Sequence, residues 1–447
     1  MTRVQADPPR RAALDVLGAV RGRDAYANLV LPSLLAQRGI TGRDANFATE
    51  LAYGTLRGQG TYDAVIEHSI DRPLTELDPA VHDLLRLGAH QLFRMNVPQH
   101  AAVATTVELT KSTIGRGPSG FVNAVMRRMA SMSLEDWLTK VIPAASDRAQ
   151  EYAIRYSHPA WIVRGFHDVL GDWSQTEQLL QADNLAPLVS LVARPGRSTV
   201  DELVASGAAA DPWSAWGATW PGGDPAAIPA IRQGRAGVQD TGSQLVTLAL
   251  ANARIEGDDT SWLDMCAGPG GKAALLGGLA AARGAHLTAV EVQARRAALV
   301  TETVDTDVEV VVGDGRDARW ATGAYDRVLV DVPCSGLGAL RRRPEARWRR
   351  TEADVEQLQR LQLQLLRSAL GAVRIGGVVA YVTCSPLRKE TIDVVSSTMT
   401  ADSNVALVDA RGLFPDVPAL GDGPTVQLWP HKHRTDAMYL ALMQRTA

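Results

Sequence analysis

A chain of 447 residues with a formal net charge of −3 and 46% apolar content has room for about two to four domains and ample core. No apolar run reaches the roughly 18 residues of a membrane span, and Met1-Thr-Arg-Val-Gln-Ala-Asp-Pro-Pro-Arg lacks the apolar core of a signal peptide. Three scattered cysteines argue against a disulfide framework and fit a reducing, cytoplasmic compartment.

From about residue 8 to 130, apolar residues recur at spacings of three and four, as in Arg11-Ala-Ala-Leu-Asp-Val-Leu-Gly-Ala-Val and Ala80-Val-His-Asp-Leu-Leu-Arg-Leu. This predicts an all-α domain over 1–135 with about six helices, followed by a helical linker over 136–187 in which Pro159 suits a helix start. Val189-Ser-Leu-Val-Ala-Arg-Pro then reads as a strand and Thr199–Ser206 as a short helix, so 188–235 is expected to form a small α/β module. From 236 to 447 strands and helices alternate. Strands are expected at Ser261–Cys266, His286–Glu291, Val308–Asp314, Arg327–Asp331 and Gly376–Thr383, with helices at Lys272–Ala282, Ala294–Val304 and Glu352–Ala372. Such alternation predicts a doubly wound, Rossmann-like parallel sheet with right-handed crossovers.

Between the first strand and its helix lies Asp264-Met-Cys-Ala-Gly-Pro-Gly-Gly-Lys, a loop whose glycines and free N–H groups suit a ligand's negative end. It is not a P-loop: Cys266 stands where that motif needs glycine, and Ala273 where it needs Ser or Thr. Gly268-Pro-Gly-Gly-Lys-Ala does fit a relaxed dinucleotide fingerprint, so the loop alone leaves NAD open beside S-adenosylmethionine. Glu291 ends the second strand, where an acid can accept from both ribose hydroxyls. Asp314 follows the third and could accept from an adenine amino group, and Lys272 suits the methionine end.

Cys334 and Cys384 close the fourth and fifth strands at turns, Val332-Pro-Cys-Ser-Gly and Val382-Thr-Cys-Ser-Pro. In strand order 3-2-1-4-5 both come to the crevice beside the loop, together with Asp331. Hydride transfer has no use for thiols, whereas methylation of a pyrimidine at C5 does. A thiolate adding to C6 makes C5 nucleophilic, and an acid such as Asp331 can assist at N3. A free thiol is mostly protonated at neutral pH, and Arg388 and Lys389 are candidates for lowering its pKa. The cysteines show no close pairing of the kind zinc sites use, so no metal is expected. Cys266 reads as a packing residue of the loop. In Arg341–Arg350 six of ten residues are arginine, and with Trp348 this run reads as a phosphate-binding strip, Arg341, Arg342, Arg343 and Arg347 being the expected RNA contacts.

The loop at 264–272, Asp331-Val-Pro-Cys-Ser-Gly-Leu-Gly, Arg342-Arg-Pro-Glu, Tyr381-Val-Thr-Cys-Ser-Pro and Val238-Gln-Asp-Thr-Gly-Ser-Gln closely resemble the Sun/Nop family of RNA cytosine-C5 methyltransferases. The helical N-terminal part is similar to NusB, an RNA-binding factor, and the fusion of the two resembles the bacterial members acting on 16S ribosomal RNA. The resemblance implies Cys384 as nucleophile and Cys334 in product release. It implies S-adenosylmethionine contacts from Cys266, Ala267, Gly268, Pro269, Gly270, Gly271, Lys272, Glu291, Asp314 and Asp331. RNA is the implied partner, with no membrane, metal or protein partner required. Glu291 stands where aspartate is commoner, Arg194-Pro-Gly where Arg-Val-Asn is common, and Glu390-Thr-Ile where Glu-Asn-Glu is usual. Two other readings are a non-catalytic RNA-binding factor and a methyltransferase for another RNA, a protein or an exocyclic amine.

Overall fold

The computed structural model describes residues 7–23 and 25–447, which divide by contact into two units. The first comprises residues up to Leu185 together with Leu340–Arg349; the second comprises Ala186–Ala339 and Arg350–Ala447.

The first unit is helical: α1 Pro8–Arg23, α2 Ala27–Gln37, α3 Gly42–Glu67, α4 Pro79–Phe93, α5 Gln99–Thr113, α6 Ser119–Met129, α7 Leu134–Val141, α8 Arg148–Arg155, α9 Ala160–Leu170 and α10 Trp173–Asp183. The six expected helices are α1 to α6. Local chemistry marks the boundaries. Asp78 caps α4, accepting from Ala80 and Val81 N–H with Pro79 in the first turn, and Asp147 and Gln150 form a capping box on α8. Helix α3 joins two cores. Leu51, Ala52 and Leu56 pack with α1, while Tyr62, Val65 and Ile66 pack with Val125 and Met126 of α6. The segment expected as a linker contributes to the second core, because Trp137 and Val141 are buried in it and the Trp137 indole donates to Met129 O at 2.9 Å.

Leu340–Arg349 lies within the stretch expected to form the C-terminal domain over 236–447, but packs into the helical unit. Glu345 Oε1 accepts from Ala27 N at 2.9 Å, placing a carboxylate on the first N–H of α2. Arg349 donates to Val20 O and Ala25 O at 3.0 and 2.6 Å. Arg347 is wholly buried, donating to Ser157 O at 2.8 Å and Asn184 Oδ1 at 2.9 Å, and burial pulls its pKa down to about 10.

In the second unit, β1 Val189–Ala193, β2 Ala209–Ala210, β3 Gly217–Trp220 and β4 Ala236–Val238 form an antiparallel sheet in order β2-β3-β1-β4, with α11 Val200–Ala205 and α12 Pro229–Arg232. The larger sheet follows: α13 Thr241–Asn252, β5 Ser261–Asp264, α14 Gly271–Ala281, β6 His286–Glu291, α15 Ala294–Thr303, β7 Glu309–Val312, β8 Tyr325–Asp331, α16 Glu352–Ala372, β9 Val373–Thr383, α17 Ile392–Ala401, β10 Val405–Val408, β11 Val426–Gln427, α18 Pro430–His433 and β12 Tyr439–Arg445. Strands β7-β6-β5-β8-β9 are parallel, in the order expected from sequence. The sheet then continues, unexpectedly, through antiparallel β12 and β10, with β11 paired to β12. Buried side chains alternate between two faces. One packs with Leu275 and Leu276 of α14, the other with Leu365 and Leu366 of α16. Parallel strands send Asp264, Glu291, Asp331 and Thr383 to one edge. Antiparallel β12 brings its own beginning there, pairing Tyr439 with Thr383.

Candidate active site

At the end of β5 the chain turns through a cradle that side chains would fill. A Cβ on Gly268 would lie 2.1 Å from Glu291 Oε2, and Gly270, at φ 110°, occupies the left-handed region just before α14. Glu291 is buried; its carboxylate accepts from Gly268 N at 3.1 Å and Gln293 N at 2.9 Å, and Arg296 donates to Gly268 O at 2.5 Å. Beneath the loop Asp264 is fully buried. Burial, then the charge on Asp331, pushes it up to about 7, and its Oδ2 has no hydrogen-bond partner.

Gln239, from the segment before α13, is also buried with neither amide atom hydrogen-bonded, and it lies beside Gly271 at the start of α14. Unpaired buried amides are costly. An orphaned amide beside helix N–H groups fits the amino-acid end of S-adenosylmethionine, and the glycine cradle with its buried acid fits a ribose. The residues present therefore suit the expected cofactor.

Across the cradle Lys272 Nζ donates to Asp331 Oδ2 at 2.8 Å. Burial alone would lower Lys272, but Asp331, Cys384 and Asp264 outweigh it and hold the ammonium above its ordinary pKa. The two strand-end thiols meet, Cys334 Sγ lying 3.4 Å from Cys384 Sγ. Their hydrogen bond, with Cys384 as acceptor, lowers Cys384 against burial and the Asp331 charge, and Lys272 adds to the lowering. The same bond raises Cys334, and burial and the Glu390 carboxylate raise it further. An ammonium faces one sulfur and a buried carboxylate the other, so the negative charge belongs on Cys384.

Behind the thiols a polar network fixes both turns. Glu390 is fully buried and accepts from Ser335 N at 2.8 Å, Ser335 Oγ at 2.5 Å and Gln362 Nε2 at 3.1 Å, while its carbonyl accepts from Tyr381 OH at 2.7 Å. Ser335 Oγ also hydrogen-bonds with Ser385 Oγ at 3.2 Å, tying the residue after one cysteine to the residue after the other. Gly338 approaches so closely that its Cβ would meet Ala437 O at 2.3 Å; its N–H donates to Cys384 O at 2.8 Å, and Ala437 N–H donates to Gly338 O at 2.9 Å.

Cys334, Cys384, Asp331 and Lys272 thus converge, with Glu291 and Gly268–Gly271 forming the adjoining cradle. Asp314 follows β7, and its carboxylate is taken up by Arg316 at 2.6 Å. Cys266 packs against the apolar layer that includes Leu263 and Val290, and burial pushes its thiol pKa well up. Arg388 and Lys389 are not the source of thiolate stabilisation: they pair with Asp393 and Glu356, both at 3.0 Å, and Lys272 takes that role. Arg347 cannot contact RNA, because its guanidinium is consumed inside the helical unit, and Arg341 is buried as well. Arg343 is exposed and lies over the Tyr26 ring, and Arg342 is half-buried. Sequence reasoning missed Gln239, Glu390, Ser335, Gln362 and the buried Asp436. Glu390 carried a signal, since an acid so soon after a strand-end Cys-Ser-Pro turn can fold back beneath it. Gln362 carried none beyond its place on the inner face of α16. Among the described residues no group of three or more His, Cys, Asp or Glu side chains could hold a metal ion, and no helix is long and apolar enough to cross a membrane.

Residues 250–444 match the family model for the 16S rRNA methyltransferase RsmB/F, and residues 7–131 match that of the NusB family. The chain is 50% identical to Rv1407 of Mycobacterium tuberculosis, across 98% of this chain and 97% of that protein. It is 31% identical to the ribosomal RNA small subunit methyltransferase B of Erwinia tasmaniensis, across 92% of each. Among solved structures, PH0851 has a TM-score of 0.81 at 20% identity, covering 99% of this chain and 100% of that one, so the two share a fold.

Proposed function

The chain belongs to the RsmB/F family of 16S rRNA methyltransferases, and on that premise we propose that it methylates C5 of a cytosine through a covalent bond between Cys384 and C6. The family's cofactor is S-adenosylmethionine, which when bound supplies an electrophilic methyl group. Gly268–Gly271, Lys272 and Gln239 would hold the methionine end, Glu291 the ribose hydroxyls and Asp314 the adenine.

The 3.4 Å contact between the two thiols, with Lys272 beside Cys384, carries this reading. The Cys384 thiolate adds to C6, and the displaced ring electrons move toward N3 and C5. N3 takes up a proton from solvent, returned when the adduct breaks down, and its N–H donates to Asp331, held by Lys272. After C5 has been methylated, Cys334 takes part in removing the C5 proton. The electrons of that C–H bond re-form the C5–C6 double bond, and the C6–sulfur bond breaks to regenerate the Cys384 thiolate. Arg342 and Arg343 are the members of the arginine run proposed to meet RNA.

Replacing Cys384 with alanine is expected to abolish methyl transfer while S-adenosylmethionine still binds in isothermal titration; retained turnover contradicts the assignment. Cys334→Ala is expected to accumulate a covalent RNA–protein adduct on denaturing gels. If it releases methylated RNA at the wild-type rate, Cys334 has no part in product release.

A further inference from the structure

Helix α3 carries Glu50, Gly54, Arg57, Gly58 and Thr61 on one face, the spacing that brings side chains into register along a helix. With α4 and the segment after α8 they line a cavity of about 360 Å³, formed by residues of the first unit alone. Its floor is backbone. A Cβ on Gly54 would lie 2.1 Å from His90 Nε2, and one on Gly58 2.3 Å from the Tyr62 ring, so the two glycines let these rings pack directly on the helix backbone.

Arg57 faces this cavity, 8% exposed, and its guanidinium donates no hydrogen bond among the described residues; its Nε is buried and unpartnered. One face of the guanidinium rests over the Tyr53 ring at 5.6 Å. Stacking supports such a group without satisfying its donors, which lie in the guanidinium plane. Glu50 also lines the cavity, yet it is turned to His90, 3.3 Å away. The exposed Arg94 stands at the rim. Burial disfavours the Arg57 cation and the Glu50 charge favours it, yet no acceptor among the described residues meets its donors, which is costly for the fold to keep. Arg347, in the same unit, has an unpartnered Nε too, but its terminal nitrogen donates to carbonyl and amide oxygens.

We propose that this pocket binds a phosphate group through the in-plane donors of Arg57, with Arg94 guarding its mouth. A guanidinium pairs a phosphate by two parallel bonds. Two sources offer that chemistry, a backbone phosphate of the RNA substrate or a small free phosphate; the first rests on the RNA reading given above.

The test uses the full-length chain with Arg57→Gln, Arg57→Lys and Arg94→Gln. Binding of a 16S rRNA fragment is followed by fluorescence anisotropy across a salt series, and binding of inorganic phosphate by titration calorimetry. If RNA supplies the phosphate, Arg57→Gln weakens RNA binding by about tenfold or more, and the salt slope falls by about 0.7 to 0.9, the loss of one phosphate contact. Arg57→Lys then recovers part of the loss, and Arg94→Gln, on the exposed rim where folding is not at stake, gives a smaller one. If a free phosphate is the ligand, inorganic phosphate binds the wild type and not Arg57→Gln, while RNA affinity stays put. Without ligand, Arg57→Gln is expected to melt no lower than the wild type, because a buried unpaired charge has been removed; a structural strut would melt lower. Unchanged RNA affinity and salt slope in both Arg57→Gln and Arg94→Gln, together with no phosphate binding, overturn the pocket. That failure is distinct from failure of the enzymatic reading, which shows as absent methylation of RNA by the wild type.

Discussion

Cys384 sits between influences of opposite sign: Cys334 and Lys272 favour its thiolate, while burial, Asp331 and Asp436 oppose it. The balance leaves its pKa below the ordinary thiol value, so activity should fall as pH drops through that lowered value. Lys272→Met removes a charge that favours the thiolate and should move the acid limb of the kcat/KM profile to higher pH, measured with the cofactor saturating; an unmoved limb would deny Lys272 this role. Gly268→Ala places a methyl group on Glu291 and should lower cofactor affinity by tenfold or more by calorimetry, on the order of 1.4 kcal/mol. Asp264 adds a stability prediction. Its folded pKa of about 7 lies above the unfolded value of about 3.9, so the folded state binds the extra proton and stability declines as pH rises between the two. Thermal melting of the cofactor-free protein should therefore drop from pH 5 to pH 8, and Asp264→Asn should flatten that drop.

Elements with a strong local signature were legible. Helix α16 has apolar spacing and a Thr351–Asp354 capping box, and its bounds match the sequence expectation. The central strands were legible too, because parallel strands buried on both faces read as continuous apolar runs. Antiparallel β12 is equally apolar, but nothing local says that it joins the sheet edge beside β9, or that it thereby carries Asp436 to the thiols. The arginine run shows the opposite failure. A charge count cannot tell a solvated strip from a peg, and Pro344–Trp348 is a tight turn that buries Glu345 and Arg347 within the helical unit. Arg347→Ala should therefore cost about 3 kcal/mol in urea unfolding, the scale of a lost buried hydrogen-bonding cation, and leave the salt slope of RNA binding unchanged. A stability change under about 0.5 kcal/mol, as for a surface substitution, would return Arg347 to the surface.

At the scale of the whole chain, the division of labour follows from how each unit buries its surface. The helical unit has its own cores and takes in Leu340–Arg349, a segment that leaves the second unit after the Cys334 turn and returns to it before α16. The second unit brings cradle, thiols and buried acid network to one sheet edge. That edge was foreseeable from strand order, since the topology of parallel sheets fixes where ligands sit. The packing beneath it was not, because Glu390, Gln362 and Ser335 come from three separate parts of the sequence. The central claim is a bond between Cys384 and C6 of the target cytosine, and RNA carrying 5-fluorocytidine tests it most directly: fluorine at C5 cannot leave as a proton does, so the bond persists. Digestion and mass spectrometry of the trapped complex should find the nucleotide on the peptide containing Cys384. A nucleotide on the Cys334 peptide, or no adduct from a preparation that methylates ordinary RNA, would contradict it.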